Sequence, residues 1–220
     1  MKTITVKGVG NVSVKPDYVV LSMSLETRNR DYETAMREAA SRIDHINESL
    51  STIGFEKESV KTTDFNVRTD YESKKDRNGN YYRVFNGYVI NHRLKVSFDF
   101  DTKVLSKALG TIASCIAEPE LSIGFTVKEP SAVNEALLKS ATINAKKKAE
   151  ILCEASGAKL GELVNIDYNW GELNIYSRTS YDMEMDCLKA CAPAPCSIDI
   201  EPDDIDATDT VTDEGSALDH

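Results

Sequence analysis

The sequence predicts an α+β fold, a largely antiparallel sheet with helices packed on it. Three observations predict it. Apolar residues alternate with period two in several separate segments, they recur at three- and four-residue spacing in three others, and strands come in neighbouring pairs with helices set between them. The expected order is β-β-α-β-β-α-β-α-β-β, within one domain spanning residues 1–212.

Residues 3–28 read as two strands. Ile4, Val6, Val12 and Val14 share one parity, and Gly8 and Gly10 hold the same face between them. Two glycines on one strand face mark a bulge or a close backbone approach. Val14-Lys15-Pro16-Asp17 turns the chain, and Val19, Leu21, Met23 and Leu25 alternate on the return. The two strands are therefore expected to form a hairpin with one buried face.

The period then changes. Tyr32, Ala35, Met36, Ala39, Ile43, Ile46, Leu50 and Ile53 form one apolar helix stripe. Asn29 or Asp31 can cap its start, and Gly54 suits a left-handed residue just past its end. Alternation resumes through Phe65, Val67 and Tyr71, and the polar stretch from Ser73 to Asn80 carries an Asn-Gly turn signal. A long strand follows, with Tyr88, Ile90, Leu94, Val96, Phe98 and Phe100 on one parity. Asp101 or Thr102 caps a short helix carrying Val104, Leu105, Ala108, Leu109 and Ile112, after which Leu121, Ile123, Phe125 and Val127 alternate.

Pro130-Ser131 opens the longest helix, in which Val133, Leu137, Ala141, Ala145, Ala149 and Leu152 form the stripe and Gly157 marks the end. Val164, Ile166, Tyr168 and Trp170 alternate in a strand expected to reach Ile175 and Tyr176. Residues 177–197 break the pattern and read as an inserted loop containing Cys, Met and Pro. Ile198, Ile200, Ile205, Ala207 and Val211 form a last strand interrupted near Pro202, and residues 213–220 read as a polar tail.

The formal charge of −10 disfavours phosphate backbones and anionic membranes as partners, because both are bound through Lys and Arg clusters. No nucleic-acid partner is expected. No apolar run approaches the roughly 18 residues of a membrane-spanning helix. Met1-Lys2-Thr3-Ile4-Thr5-Val6 enters a strand pattern at once, without the features of a leader. The expectation is a cytoplasmic protein, or one of the cell envelope if a leader has been removed. The odd count of five cysteines favours a reduced chain.

Motifs of chemistry are sparse. Gly8-Val9-Gly10 opens like a dinucleotide fingerprint, but Ser13 stands where the third glycine belongs and the strand continues where a helix should begin. No phosphate loop, nucleophile elbow or zincin His pair occurs. His92 shares parity with Ile90 and Leu94, which reads as a core or interface histidine bonded to a neighbour rather than a catalytic base. Asp99 with Asp101, and Glu184 with Asp186, read as solvated acids. Lys146-Lys147-Lys148 reads as a solvated helix face, with Glu150 able to pair back to Lys146. Cys187, Cys191 and Cys196 are soft donors suited to zinc or copper(I), yet they lack a fourth Cys or His at ligand spacing, so an incidental loop is the plainer reading. No catalytic residue and no cofactor is expected.

Taken in order, several of these features resemble the SIMPL-domain (DUF541) family. They are Gly8-Val9-Gly10 leading to Val14-Lys15-Pro16-Asp17, Glu38-Ala39, Gly54, Gly87-Tyr88 and Leu94-x-Val96. Glu135-Ala136-Leu137, Ala141, Ala145, Lys148-Ala149-Glu150, Gly157, Leu160-Gly161 and Ile200-Glu201-Pro202-Asp203-Asp204-Ile205 continue the series. The resemblance runs from about Thr3 to Thr212. It implies an α+β domain without catalytic residues that forms ring-like or channel-like homo-oligomers. It further implies protein partners and, among bacterial relatives, a cell-envelope location and oxidative-stress tolerance; an animal relative is a kinase-binding adaptor. The sequence departs from the family pattern in lacking a leader, in the cysteine-bearing insertion, and in Asp213-Glu214-Gly215-Ser216, where apolar alternation should continue. The expected function is thus assembly and partner binding rather than catalysis, the alternative being a metal- or redox-responsive protein using Cys187, Cys191 and Cys196.

Overall fold

The structure, a computed structural model, describes residues 2–168, 173–183 and 200–219. Among these the α+β class holds, with eight strands and three α-helices, and the strands divide between two sheets. The chain forms two compact units. One comprises Met1–Asp17, Thr126–Arg178 and Pro202–His220; the other comprises Tyr18–Phe125 and Thr179–Glu201.

In the first unit, β1 (Lys2–Val14), β8 (Ile205–Asp219) and β6 (Ala158–Tyr168) form a three-stranded sheet in the order β1-β8-β6. α3 (Pro130–Ala155) packs on it through Val133, Leu137, Ala141, Ala145, Ala149 and Cys153. The stripe ends on Cys153, four residues after Ala149, and Leu152 is exposed. The β1–β8 ladder runs without a register shift from Lys2–Ala217 to Val14–Ile205, so Gly8 and Gly10 mark no bulge. They mark a close approach. A Cβ on Gly8 would lie 2.1 Å from the Ala141 carbonyl oxygen, and one on Gly10 would lie 2.3 Å from that of Leu137.

α3 also covers the free edge of β1. Asn144 Oδ1 accepts from Val9 N–H at 3.0 Å, Ser140 Oγ from Asn11 N–H at 3.4 Å, and Lys148 Nζ donates to Lys7 O at 2.8 Å. Lys148 is therefore tied to β1, not merely solvated as the basic run implied. Sheet edges left with bare backbone groups invite pairing, and here side chains take the place of a further strand.

Three expectations are corrected. The strands flanking Val14-Lys15-Pro16-Asp17 form no hairpin, because β1 pairs with β8 while β2 (Tyr18–Asn29) joins the other sheet. Asp17 instead donates its N–H to Thr126 O and accepts from Lys128 N–H through its carboxylate, at 3.1 and 2.8 Å. Nor are residues from Asp213 a polar tail. β8 continues to Asp219, held on both sides: Asp213 faces Val6 on β1 and Ile166 on β6. Backbone pairing on two flanks sustains the strand where the apolar pattern lapses. The stretch expected to join Val164 to Tyr176 as one strand divides into β6 and a separate β7 (Tyr176–Met183).

The second sheet has the order β3-β4-β2-β5-β7, with β3 (Lys61–Lys75), β4 (Tyr81–Asp99) and β5 (Glu120–Thr126). α1 (Tyr32–Ser51) starts on Asp31, whose carboxylate accepts from Thr34 N–H at 2.8 Å. α2 (Thr102–Ala113) starts on Asp101, which accepts from Lys103 and Val104 N–H. Leu21, Leu25, Leu94, Val96, Leu109 and Phe125 lie in the core that these elements share. Arg42 of α1 binds the carbonyls of Ala117 and Glu26 at 2.6 Å each, tying the helix to β2 and to the approach to β5.

Gly8→Ala is expected to cost about 3 kcal/mol or more, since neither the α3 backbone nor Ala145 can yield the missing space. Gly110→Ala, within α2 and with no atom within 4 Å of the added Cβ, should instead stabilise by about 0.5–1 kcal/mol. Urea denaturation followed by circular dichroism measures both.

Candidate functional site

β3 and β4 form a hairpin longer than the sequence pattern implied, closed over Asp76–Asn80. There Asp76 Oδ1 accepts from the N–H groups of Asn78 and Asn80 at 2.8 Å each, and Gly79 adopts φ 86°. Residues directly opposite in an antiparallel pair share a face. Phe65 opposite His92, Val67 opposite Ile90, and Tyr71 opposite Phe85 therefore lie on the face that α1 covers further in. α1 seats Ala35, Ala39 and Met36 over Ile90 and Tyr88, and Tyr32 meets Tyr88 edge-on at 5.4 Å. Beyond that cover the face stays apolar but open. Phe65 is 46% exposed, Tyr71 44%, Phe85 42% and Tyr81 70%.

One irregularity aligns this strip. By alternation alone Phe85 falls on the opposite face from Tyr88. A register shift between Asp70 and Tyr71 leaves Asn86 and Gly87 to span a single step, returning Phe85 to the face of Tyr88 at 5.4 Å between rings. Gly87 has φ 145°, and a Cβ there would lie 2.6 Å from the Asn29 carbonyl oxygen, so only glycine fits. Toward the tip two cations stand over the rings, Arg83 over Tyr71 and Lys75 over Tyr81, each 4.8 Å from the centroid. The other face is polar, with Glu26, Arg28, Arg68 and Asp70 in exposed ion pairs of small energetic weight.

His92 lies at the inner end of the strip and is 8% exposed. Its Nε2 shares a 2.9 Å hydrogen bond with Thr62 Oγ1, and the Phe65 ring meets it edge-on at 5.0 Å. It is thus a buried histidine bonded to a neighbour, as its parity implied. Burial pushes its pKa below the ordinary histidine value, with Asp64 opposing by its charge. Asp101 is the α2 cap, which lowers its pKa through the backbone N–H groups of Val104 and Lys103. Cys187, Cys191 and Cys196, with Glu184 and Asp186, lie outside the described residues. Among the described residues no group of three or more His, Cys, Asp or Glu is placed to hold a metal ion, and Cys115 and Cys153 are free and buried. No helix among them is long and apolar enough to cross a membrane.

The sequence showed Phe65, Val67 and Tyr71 as strand residues but gave no sign that their face was uncovered. It missed Tyr81 and Phe85 altogether, because the bulge breaks the parity that would have joined them to Tyr88. The Asn86-Gly87 pair was the available signal.

Fold and site thus define a two-sheet α+β protein whose most distinctive surface among the described residues is an aromatic hairpin. The model of the SIMPL family, described as a protein of unknown function (DUF541), matches residues 4–213, and the chain belongs to that family. Two similar proteins are the 26 kDa periplasmic immunogenic proteins of Brucella melitensis and Brucella abortus. Each is 24% identical over 163 residues, covering 74% of this chain and 65% of the relative. The chain therefore spans a little under two thirds of the length of these relatives.

Because the folded state holds His92 neutral where the unfolded chain would take up a proton, its contribution to stability is full above the ordinary histidine pKa. It is lost as pH falls through that value toward the folded one. Denaturant midpoints should therefore fall between about pH 7.5 and about pH 5 more steeply in the wild type than in His92→Gln.

Proposed function

We propose that this protein acts by assembling with copies of itself and presenting the assembled surface to protein partners, without catalysis. The observation that carries the reading is the open aromatic face of the β3–β4 hairpin, on a strand that lies at the sheet edge among the described residues. A second copy suits this surface on charge as well. The hairpin end carries Lys74, Lys75, Arg77 and Arg83 against Glu72 and Asp76, in a chain of formal charge −10. An aromatic and cationic projection has an acidic body to dock on in every other copy, and such complementarity favours encounter and register. The ring-like assembly implied by this chain's resemblance to the family supports the same reading. The name of the Brucella relatives favours the cell envelope over the cytoplasm for this chain. A role in oxidative-stress tolerance would then be exercised by the assembly rather than by a single copy.

Light scattering coupled to size-exclusion chromatography tests the reading. A discrete mass several times that of one 24.3 kDa chain is expected, unchanged by reductant. Phe65→Ser combined with Tyr71→Ser and Phe85→Ser should reduce it to the mass of a single chain while leaving the thermal transition in place. A wild-type monomer at micromolar concentration would sink the proposal. A triple variant that keeps the full mass would remove the hairpin from the interface.

A further inference from the structure

Asp213 stands where the strand pattern calls for an apolar residue. It lies on the face of β8 that meets α3, is 7% exposed, and its Oδ1 meets no hydrogen-bond donor among the described residues. Buried polar atoms are nearly always bonded, so an exception asks for a reason. The neighbouring residue on that face, Gly215, carries no side chain. Across from it β6 shifts register twice, between Leu160 and Asn165. Together these features open a cavity of about 330 Å³ between α3 and the sheet, with Asp213 on its wall. Ile4, Val6, Ala149, Leu160 and Leu163 make the remaining lining mostly apolar.

The two glycines of this wall differ in kind. A Cβ on Gly161 would lie 2.3 Å from Ser216 Oγ and 3.0 Å from the Ser216 carbonyl oxygen, so a side chain there would force Ser216 to shift. A Cβ on Gly215 would meet nothing closer than 3.5 Å, so packing leaves room for a side chain that the sequence does not supply. Lys146 also borders the cavity, but its side chain is exposed and its ammonium can stay in water while the stem lines the rim. It makes no ion pair with Asp213.

We infer that this cavity is a binding site for a small apolar molecule carrying an amine, its ammonium group bonded to the Asp213 carboxylate. The size lies at the low end of small-molecule sites, and the make-up, mostly apolar walls with a few polar residues (Asp213, Thr142 and, at the rim, Lys146), is typical of them. An ammonium offers three donors and a compensating charge. A carboxylate held in apolar surroundings gains more from it than from a neutral donor.

Phenethylamine and 2-phenylethanol, alike in shape and different in the terminal group, test the inference by isothermal titration at neutral pH. Phenethylamine is expected to bind with a Kd of about 1 mM or below, and the alcohol at least about tenfold more weakly. Asp213→Asn, of the same shape, should abolish the preference by weakening the amine, and Gly215→Leu should weaken both by filling the space. Thermal melts of each variant show whether it is folded. Equal binding of the two probes to the wild type, no amine binding at about 10 mM, or a preference that survives in a folded Asp213→Asn protein would each overturn the inference. The wild-type comparison stands even if a variant fails to fold.

Discussion

The contact on which the first unit depends is the approach of α3 to β1 at Gly8 and Gly10. Side chains on both surfaces ordinarily hold a helix well clear of a sheet. Here the strand contributes none at two successive inward positions, and the helix answers with Ala141 and Ala145. The backbones come close enough for Asn144, Ser140 and Lys148 to reach the edge of β1. The same descent leaves little volume to fill near Gly8 and more of it toward Ile4 and Gly215, where the cavity lies. Tight packing at one end of a helix and open space at the other follow from a single choice of small residues.

The second unit turns on a different local device. Its sheet has an apolar face under α1 and α2, and alternation would end that face near Tyr88. The bulge at Asn86-Gly87 shifts the outer half of β4 by one residue and prolongs the apolar face to the hairpin tip. Bulges re-aim side chains in this way wherever strands run past the body of a fold. The aromatic strip thus continues the core face beyond its cover, which explains why its residues resemble core residues in a sequence read by period alone.

Much of the fold was legible for a physical reason: period, caps and terminating glycines are local. Asp31 and Asp101 are caps because a short carboxylate reaches the bare N–H groups of the next turn, and that depends on a few neighbouring residues. Partnership between distant segments is not local. Val14-Lys15-Pro16-Asp17 looks like a hairpin turn, yet Asp17 bonds to residues more than a hundred positions away and β1 finds its partner at the opposite end of the chain. Asp213 was misread for a related cause, since backbone pairing with two distant strands, not local apolar alternation, holds this stretch in the sheet. The uncovered strip was invisible because exposure is a property of what does not pack over a face.

The pairing of β1 with β8 also governs how the protein must be made. Lys2 faces Ala217, so β1 finds its neighbour only once the whole of the intervening chain has been made. The helix that should bury its inward face is likewise encoded far downstream. Until then β1 is an extended segment with bare hydrogen-bonding groups and Ile4, Val6, Val9, Val12 and Val14 unburied. Such a segment suits capture by chaperones or by the nascent chains of neighbouring ribosomes. Yield in the cell should therefore depend more on what shelters β1 during translation than on the equilibrium stability of the finished molecule.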